Sequence, residues 1–214
     1  MNHSRNAPIR GLYAITPEEA DTAALLRKVR SALRGGARVV QYRNKRADAA
    51  LRREQAGALR ALTREFGALF IVNDDARLAA EADADGVHLG GEDGSVAAAR
   101  ALLGSASIIG VSCYNRAPLG SEAVRQGADY VAFGAFFPSG VKPGAVKAEL
   151  PLLQAARREL QVPVVAIGGI TPHNGAALVG AGADALAVIS ALWDAPDIEQ
   201  AARDFSNLFS KASS

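Results

Sequence analysis

The chain has 214 residues, of which 49% are hydrophobic and 21% are charged, as in ordinary soluble globular proteins. A formal net charge of +2 gives no electrostatic reason to expect a nucleic-acid or membrane partner, and a single cysteine, Cys113, excludes an internal disulfide and is typical of a reducing cytosol. The sequence has no apolar run of the roughly 20 residues that a transmembrane helix needs, and its polar start lacks the apolar segment of a signal peptide, so we expect a cytoplasmic protein.

Apolar segments rich in Val and Ile alternate with amphipathic segments along the chain. The apolar segments predict strands at residues 12–16, 39–43, 69–73, 86–89, 107–112, 130–134, 163–168 and 185–190. The segments between them predict helices at residues 21–33, 48–66, 76–82, 96–103, 119–126, 152–160, 174–179 and 198–208. We expect residues 1–10 to form a flexible tail and residues 11–210 to form one catalytic domain.

Short apolar runs that are each followed by a helix indicate a parallel sheet. A weak internal repeat supports this arrangement, because glycine-containing steps near residues 35, 84, 127 and 182 each end a helix and begin a strand. Eight such units favour a single (β/α)8 TIM barrel, for which about 200 residues is the lower size limit. The alternative is an open doubly wound sheet, which usually has about five or six strands and a glycine-rich first turn that this chain lacks.

Polar residues follow the predicted strands, and the set after the second strand is the most informative. Because side chains alternate along a strand, Gln41, Arg43 and Lys45 share one face, while Tyr42 and Asn44 share the other. Two cations next to a buried run require an anionic partner, and a guanidinium beside an ammonium suits a phosphate. We therefore predict an anion site at the C-terminal ends of the strands, where barrels place their active sites.

Two further sets of residues extend this site. Gly168-Gly169 before a helix, with Ser190 after the last strand, matches the phosphate site that barrels build after their seventh and eighth strands. Asp74 and Asp93 follow adjacent strands and could converge on Mg²⁺, while either Asp74 or Asp75 is expected to cap the next helix. Two anion sites on opposite sides of one barrel mouth indicate that two phosphorylated substrates are joined.

The remaining candidates are expected to have structural roles. His88 lies within a strand, where we expect it to pack or to support a binding residue, and His173 is expected to face solvent at a helix start. Cys113 has no obvious partner that would lower its pKa, so we expect a small buried residue. Trp193 follows the last strand and is expected to pack.

Taken together, these segments resemble the thiamine phosphate synthase family over nearly the whole chain. The resemblance is carried by VQYRNK (40–45), Asn73-Asp74, GVHLG (86–90) with Asp93, GVS (110–112), FPS (137–139) with Lys142, AIGGITP (166–172) and VIS (188–190). It implies a Mg²⁺-dependent transferase that couples 4-amino-5-hydroxymethyl-2-methylpyrimidine diphosphate to a thiazole phosphate. The products would be thiamine phosphate and diphosphate, with CO2 as well when the thiazole carries a carboxylate.

The resemblance also implies a set of site residues. The pyrimidine diphosphate site would comprise Gln41, Tyr42, Arg43, Asn44, Lys45, Asn73, Ser112 and Lys142. The thiazole phosphate site would comprise Ser139, Val141, Gly169, Ile189 and Ser190, and the Mg²⁺ ligands would be Asp74 and Asp93. The residues expected to act in catalysis are Arg43, Lys45, Ser112 and Lys142. The implied partners are small phosphorylated molecules, and a homo-oligomer is compatible with the sequence.

Two positions depart from the family pattern. Asn44 replaces the usual glutamate, with little expected consequence, and Val141 replaces a threonine, so that one hydroxyl contact to the thiazole substrate is expected to be missing. Two other functions remain open. One is a thiazole tautomerase of the same fold, which needs no metal and places a catalytic histidine just after the serine of the fifth strand, where this chain has Cys113-Tyr114-Asn115. The other is a catalytically silent phosphate-binding or regulatory protein.

Overall fold

A computed structural model describes residues 9–90, 94–138 and 147–210. In these residues eight parallel strands form a closed barrel, in which each strand pairs with the next and the last pairs with the first. The strands are β1 (Gly11–Ile15), β2 (Val39–Tyr42), β3 (Leu69–Asn73), β4 (Gly86–Leu89), β5 (Ile108–Tyr114), β6 (Tyr130–Phe133), β7 (Val164–Ile167) and β8 (Ala185–Val188). Because β1 pairs with β8, the predicted TIM barrel is confirmed and the open sheet is excluded.

The helices surround the barrel. They are α1 (Thr22–Arg34), α2 (Ala49–Glu65), α3 (Ala76–Glu81), α4 (Val96–Leu103), α5 (Ala117–Arg125), α6 (Leu150–Glu159), α7 (Pro172–Gly180), α8 (Ser190–Trp193) and α9 (Ile198–Ser210). The short helix α8 was not predicted, and the last strand ends at Val188 instead of continuing to Ser190. Four residues are too few to show a helical period. Within the described parts, no helix combines the length and the hydropathy needed to cross a bilayer.

Two apolar layers follow from the alternation of side chains along the strands. On β1, Tyr13 and Ile15 belong to the cluster inside the barrel, while Leu12 and Ala14 belong to the layer between barrel and helices. Ile9 also lies in the interior cluster and is only 3% exposed, so the predicted flexible tail is wrong at this residue. Residues 1–8 of that tail lie outside the described residues.

The weak internal repeat has a physical role at the N-terminal ends of the strands. Three aspartates, each directly before an even-numbered strand, accept a hydrogen bond from a backbone N–H at the start of the preceding strand. The bonds run to Asp85 from Phe70 N (2.7 Å), to Asp129 from Ile109 N (2.8 Å) and to Asp184 from Val164 N (2.8 Å). An arginine from the outer helices pairs with each carboxylate: Arg60 at 2.7 Å, Arg100 at 2.5 Å and Arg157 at 3.9 Å, in the same order. These contacts hold neighbouring strands in register.

Gly110 on β5 provides the space for an aromatic ring inside the barrel. A Cβ atom at Gly110 would lie 2.0 Å from Cζ of Tyr130, a residue that is fully buried on the neighbouring strand. We expect Gly110→Ala to lower the free energy of unfolding by about 1–3 kcal/mol, because the ring must shift. Urea denaturation measures this change.

The matched control is Gly57→Ala in the middle of α2, where a Cβ atom would meet no atom within 4 Å. That substitution is expected to raise the free energy of unfolding by about 0.5–1 kcal/mol, because alanine loses less backbone entropy in a helix. Equal effects of the two substitutions would contradict the assignment of Gly110 as the residue that accommodates the Tyr130 ring.

Candidate active site

A cavity of about 950 Å³ opens at the C-terminal ends of the strands. All eight strands contribute to its wall, so the closed barrel brings residues distant in sequence to one place. Its polar lining includes Gln41, Arg43, Asn73, His88, Ser112 and Ser190. All of these except His88 were predicted as binding residues, so the structure brings five predicted site residues together in one cavity.

Arg43 lies in the cavity wall just after β2, and its backbone is held by the end of β1. Its N–H donates to the Thr16 hydroxyl at 2.9 Å, and that hydroxyl donates to the Arg43 carbonyl at 3.1 Å. The Arg43 guanidinium pairs with Glu18 at 3.4 Å and is 22% exposed. Lys45 is more exposed, at 59%, and its Nζ lies 3.3 Å from Oδ2 of Asp74. Two cations, each paired with one carboxylate, therefore follow β2, and of these four residues Arg43 lines the cavity while Lys45, Asp74 and Glu18 lie outside its lining.

The opposite face of this segment packs against α2, as the alternation predicts. The Tyr42 hydroxyl donates to Oε1 of Gln55 at 2.9 Å, and Asn44 Nδ2 donates to the same atom at 3.1 Å and to the Glu19 carbonyl at 3.0 Å. Both side chains are buried, and burial raises the pKa of Tyr42 to about 12. Neither residue lines the cavity, and the predicted part of Tyr42 and Asn44 in binding the pyrimidine substrate stays a prediction.

The two aspartates after β3 have different roles. Asp75 is the N-cap of α3, since its carboxylate accepts from the N–H groups of Arg77 and Leu78. The expectation that one aspartate of the pair caps this helix is thus confirmed. Asp74 adopts a φ of 63°, a strained conformation for a non-glycine residue, and its carboxylate stays at the rim. Such strain concentrates at functional sites, which favours a binding role for Asp74.

Asp93 lies outside the described residues, and so do Ser139, Val141 and Lys142. The part of the chain that is described brings no three His, Cys, Asp or Glu residues together as a metal site. The convergence of Asp74 with Asp93 and the contacts of the 139–142 segment therefore stay predictions.

The floor of the cavity is a hydrogen-bonded row of inward-facing side chains. Gln41 Nε2 donates to the Tyr13 hydroxyl at 2.8 Å, which lies 2.7 Å from the Tyr130 hydroxyl. The Tyr130 hydroxyl lies 2.9 Å from Nδ1 of His88, and His88 Nε2 lies 2.8 Å from the Ser112 hydroxyl. Burial lowers the pKa of His88 to about 4, against a smaller opposite effect of the Asp74 carboxylate. The imidazole is therefore neutral at neutral pH, and His88 packs inside the barrel in contact with Ser112, a predicted binding residue.

Sequence reasoning did not select Tyr13 or Tyr130. Both are fully or almost fully buried, and burial raises their pKa values well above the usual range. Both tyrosines lie in apolar strand segments, so in the sequence they look like aromatic residues that only pack in the core. One signal was available: a buried tyrosine hydroxyl needs a partner, and strand alternation places Tyr13 and Gln41 on the inner face together.

The other side of the mouth is formed after β7 and β8, and β1 separates it from the Arg43 side. Gly168 and Gly169 have φ values of 105° and 61°, and a Cβ atom at Gly169 would lie 2.3 Å from the Pro138 carbonyl oxygen. Glycine is therefore required here both by conformation and by space. Both glycines line the cavity together with Ile189 and Ser190. Small residues with accessible backbone N–H groups are typical of barrel phosphate sites.

Three residues outside the cavity behave as predicted. Trp193 is buried, and its indole N–H donates to the Ile15 carbonyl at 2.6 Å, which holds α8 against the end of β1. His173 is exposed near the start of α7. Cys113 is buried in the layer between barrel and helices, turned away from the cavity.

The fold and cavity define a (β/α)8-barrel protein whose mouth carries charged and glycine-rich strand ends suited to phosphorylated ligands. A family model described as thiamine monophosphate synthase matches residues 12–192. The chain belongs to this family, as the resemblance in the sequence indicated.

Individual relatives agree with this assignment. A thiamine-phosphate synthase of Methylobacillus flagellatus is 57% identical over 202 residues, which cover 94% of this chain and 96% of the relative. A thiamine-phosphate synthase of Thiobacillus denitrificans is 54% identical over 199 residues, which cover 93% of this chain and 94% of the relative. The solved structure of a thiamine phosphate pyrophosphorylase from Pyrococcus furiosus has a TM-score of 0.85 and 36% identity, with 95% and 97% covered.

Burial raises the pKa of the Cys113 thiol to about 12, which makes its reactivity a test of the site geometry. Because the thiolate is the reactive form, we expect no labelling of the native protein by a thiol reagent at about pH 8. After denaturation one thiol per chain should react, since Cys113 is the single cysteine. Rapid labelling of the native protein would show that Cys113 faces the cavity or the solvent.

Proposed function

We propose that this protein is a thiamine phosphate synthase. It breaks the bond between the pyrimidine methylene carbon and the diphosphate oxygen, and it joins that carbon to the nitrogen of a thiazole phosphate. Diphosphate leaves, and CO2 is also lost when the thiazole carries a carboxylate. The observation that carries the proposal is one cavity bordered by a cationic segment after β2 and by a glycine-rich phosphate-type turn after β7.

The cationic side would bind the diphosphate. Arg43 in the wall and Lys45 at the rim offer a planar donor pair and a point charge, which together suit a multiply charged leaving group. Donors fixed in advance at the place where negative charge develops stabilise the transition state. Lys142 is proposed to add a third cation from the loop after β6, and Asn73 to add an amide contact.

Asp74 fits a Mg²⁺ ligand. It provides a hard oxygen donor at the rim, next to the cations that would hold the diphosphate, and Mg²⁺ is usually bound by one or two carboxylates together with phosphate oxygens. Asp74, with Asp93 as the second proposed ligand, would hold the ion. When bound, the ion would supply further neutralisation of the charge on the leaving diphosphate.

The floor of the cavity would bind the aminopyrimidine through Gln41 and Ser112. His88 is neutral, and both of its ring nitrogens are in hydrogen bonds, so it is not available as a general base. An electron-rich aminopyrimidine can delocalise the positive charge left when diphosphate departs. We therefore propose a dissociative step, in which the thiazole nitrogen captures this cation and no strong base is needed.

The glycine-rich side would bind the thiazole phosphate. Gly169, Ile189 and Ser190 line the cavity there, and Ser139 and Val141 are proposed to complete the site. The tautomerase alternative is disfavoured, because the segment just after Ser112, where that family has its catalytic histidine, is Cys113-Tyr114-Asn115 in this chain.

The direct test is an assay of the purified protein with both substrates and Mg²⁺. Thiamine phosphate and diphosphate should appear in equal amounts. Conversion of the thiazole tautomer without diphosphate release would establish the tautomerase instead, and substrate binding without any product would establish the silent phosphate-binding protein.

Asp74→Asn tests the metal proposal. We expect turnover to fall by about a hundredfold or more, because the charge stabilisation that a bound cation supplies is worth several kcal/mol. The matched control is Asp75→Asn, which keeps the helix cap because asparagine caps as well as aspartate, and it should stay near wild-type activity. A chelator should abolish wild-type activity and added Mg²⁺ should restore it. Full activity in the chelator would exclude the metal role.

Arg43→Ala tests the diphosphate site. We expect kcat/KM for the pyrimidine diphosphate to fall by about ten- to hundredfold, the value of a hydrogen bond to a charged group. Arg46→Ala is the control, because Arg46 also pairs with Glu18, at 2.9 Å, but its side chain is 88% exposed. Steady-state kinetics measure kcat/KM for the pyrimidine diphosphate in both variants, and Arg46→Ala should stay near the wild-type value. Equal losses would show that the shared Glu18 contact matters and the cavity position of Arg43 does not.

A further inference from the structure

The hydrogen bonds on the cavity floor form one row, and the orientation of the Gln41 amide at its start determines a direction for the whole row. We propose that Tyr13, Tyr130 and His88 are positioning residues that set this direction, so that Ser112 offers its hydroxyl hydrogen, and Gln41 its amide oxygen, to the bound ligand. The identity of that ligand as an aminopyrimidine rests on the proposed function. The direction of the hydrogen bonds is a property of the protein alone.

The direction begins at Gln41. Its Nε2 donates to the Tyr13 oxygen at 2.8 Å, so the hydrogen of the Tyr13 hydroxyl must point elsewhere. Among the described residues, the other recorded partner of that hydroxyl is the Tyr130 hydroxyl at 2.7 Å. Tyr13 is only 1% exposed, which favours this hydroxyl as the acceptor over a water molecule. Tyr13 therefore donates to Tyr130.

The direction continues to Ser112. Because the Tyr130 oxygen already accepts from Tyr13, its hydrogen is directed to Nδ1 of His88 at 2.9 Å. Nδ1 then accepts a hydrogen bond and carries no proton, so the proton of the ring is on Nε2. Nε2 donates to the Ser112 oxygen at 2.8 Å, which leaves the Ser112 hydrogen free to point into the cavity that Ser112 lines.

The reverse direction would leave a buried group unsatisfied. If His88 donated to Tyr130 and Tyr130 donated to Tyr13, the Tyr13 hydrogen would have no recorded acceptor in the described parts of the chain while Gln41 Nε2 faces it. An unsatisfied buried donor is disfavoured. Reversal therefore requires the Gln41 amide to turn over as well, which would present its NH2 group to the cavity in place of its oxygen.

The surrounding structure holds the row rigidly. The Tyr130 ring lies over Gly110, which leaves room for the ring because it has no Cβ atom. The same ring is stacked with the His88 ring, with 5.5 Å between ring centres, and is tilted against the Tyr13 ring at 6.1 Å. Fully satisfied buried networks of this kind fix a single arrangement of donors and acceptors.

The direction of the row gives the cavity one hydrogen-bond acceptor and one hydrogen-bond donor for a ligand. An acceptor on Gln41 and a donor on Ser112 are complementary to a heterocycle that carries an amino group and a ring nitrogen with a free lone pair. An analogue with an oxo group in place of the amino group presents an acceptor and a ring N–H instead. The row would therefore select the aminopyrimidine and reject its oxo counterpart, because mismatched buried polar groups are left unpaired.

The tautomer of His88 tests the proposal without any substrate. The chain has three histidines, so nitrogen NMR of ¹⁵N-histidine-labelled protein is simple, and a variant with His3→Gln and His173→Gln leaves only the His88 signals. We expect a neutral ring protonated at Nε2 and unprotonated at Nδ1. A ring protonated at Nδ1, or an equal mixture of the two forms, would overturn the proposed direction.

Tyr130→Phe tests whether the row sets this tautomer. Without the Tyr130 hydroxyl, Nδ1 has no partner, and we expect the Nδ1-protonated form to become detectable. Tyr42→Phe is the matched control, because its hydroxyl bonds to Gln55 outside the barrel, and it should leave the His88 signals unchanged. An unchanged spectrum in Tyr130→Phe would overturn the proposal. If Tyr130→Phe does not fold, Tyr13→Phe replaces it. That variant removes the hydroxyl that donates to Tyr130, and the Nδ1-protonated form of His88 should again become detectable.

Kinetics of the same variant supply the second readout. We expect the KM for the pyrimidine diphosphate to rise by about three- to tenfold, the value of one neutral hydrogen bond, with the KM for the thiazole phosphate unchanged. The preference of this variant for the aminopyrimidine over its oxo analogue should also be smaller than that of the wild-type protein. A uniform loss for both substrates would indicate a merely structural role. A wild-type protein without synthase activity would defeat the proposed function, while the His88 tautomer would still decide the direction of the row.

Discussion

Closure of the barrel in one register is the constraint on which the rest of this structure depends. Asp85, Asp129 and Asp184 each accept a hydrogen bond from the backbone of the neighbouring strand and pair with an arginine from an outer helix. A slip of one residue between two strands would turn every side chain to the other face. In the pair of β3 and β4, for example, His88 would then point at the helices and Val87 into the cavity. The contacts at the bottom of the barrel thus determine which side chains form the site at its top.

The charged side chains of the site lie at the mouth of the cavity, and its uncharged polar side chains lie at the floor. Arg43, Lys45 and Asp74 lie after the strand ends, where they are partly exposed and the cost of their desolvation is low. Below them, the buried row from Gln41 to Ser112 carries no charge, because burial lowers the pKa of His88 and raises the pKa values of Tyr13 and Tyr130. A site of this kind can bind a charged diphosphate at the mouth and an uncharged heterocycle at the floor, which matches the two parts of the proposed substrate.

Much of this arrangement could be predicted from the sequence. Strand alternation correctly separated Gln41 and Arg43 from Tyr42 and Asn44, and the pair Asp74-Asp75 was correctly expected to contain a helix cap. Family resemblance had also placed Tyr42 and Asn44 among the binding residues, and the structure has their side chains on the face that alternation predicted, away from the cavity. Both predictions rest on local geometry, which a short stretch of sequence determines.

Other features depend on contacts between distant residues. The pairing of Glu18 with Arg43 and the row through Tyr13 and Tyr130 join different strands and loops, so no local pattern indicates them. Helix α8 is too short for a period, and Ile9 is buried only because the barrel closes around it. Of the partners that would complete the site, Asp93 was predicted from its position after a strand as well as from the family resemblance, whereas Ser139 and Val141 follow from the resemblance alone.

The central claim is that one cavity binds two phosphorylated molecules at once, on separate sides. Inorganic diphosphate cannot react with the thiazole phosphate, so the pair forms a stable test of this claim. Calorimetric titration of thiazole phosphate into protein saturated with diphosphate and Mg²⁺ measures whether the second ligand still binds. The account predicts one thiazole phosphate bound per chain in the presence of diphosphate. Loss of thiazole phosphate binding under these conditions would show that both compete for a single anion site and would contradict the account.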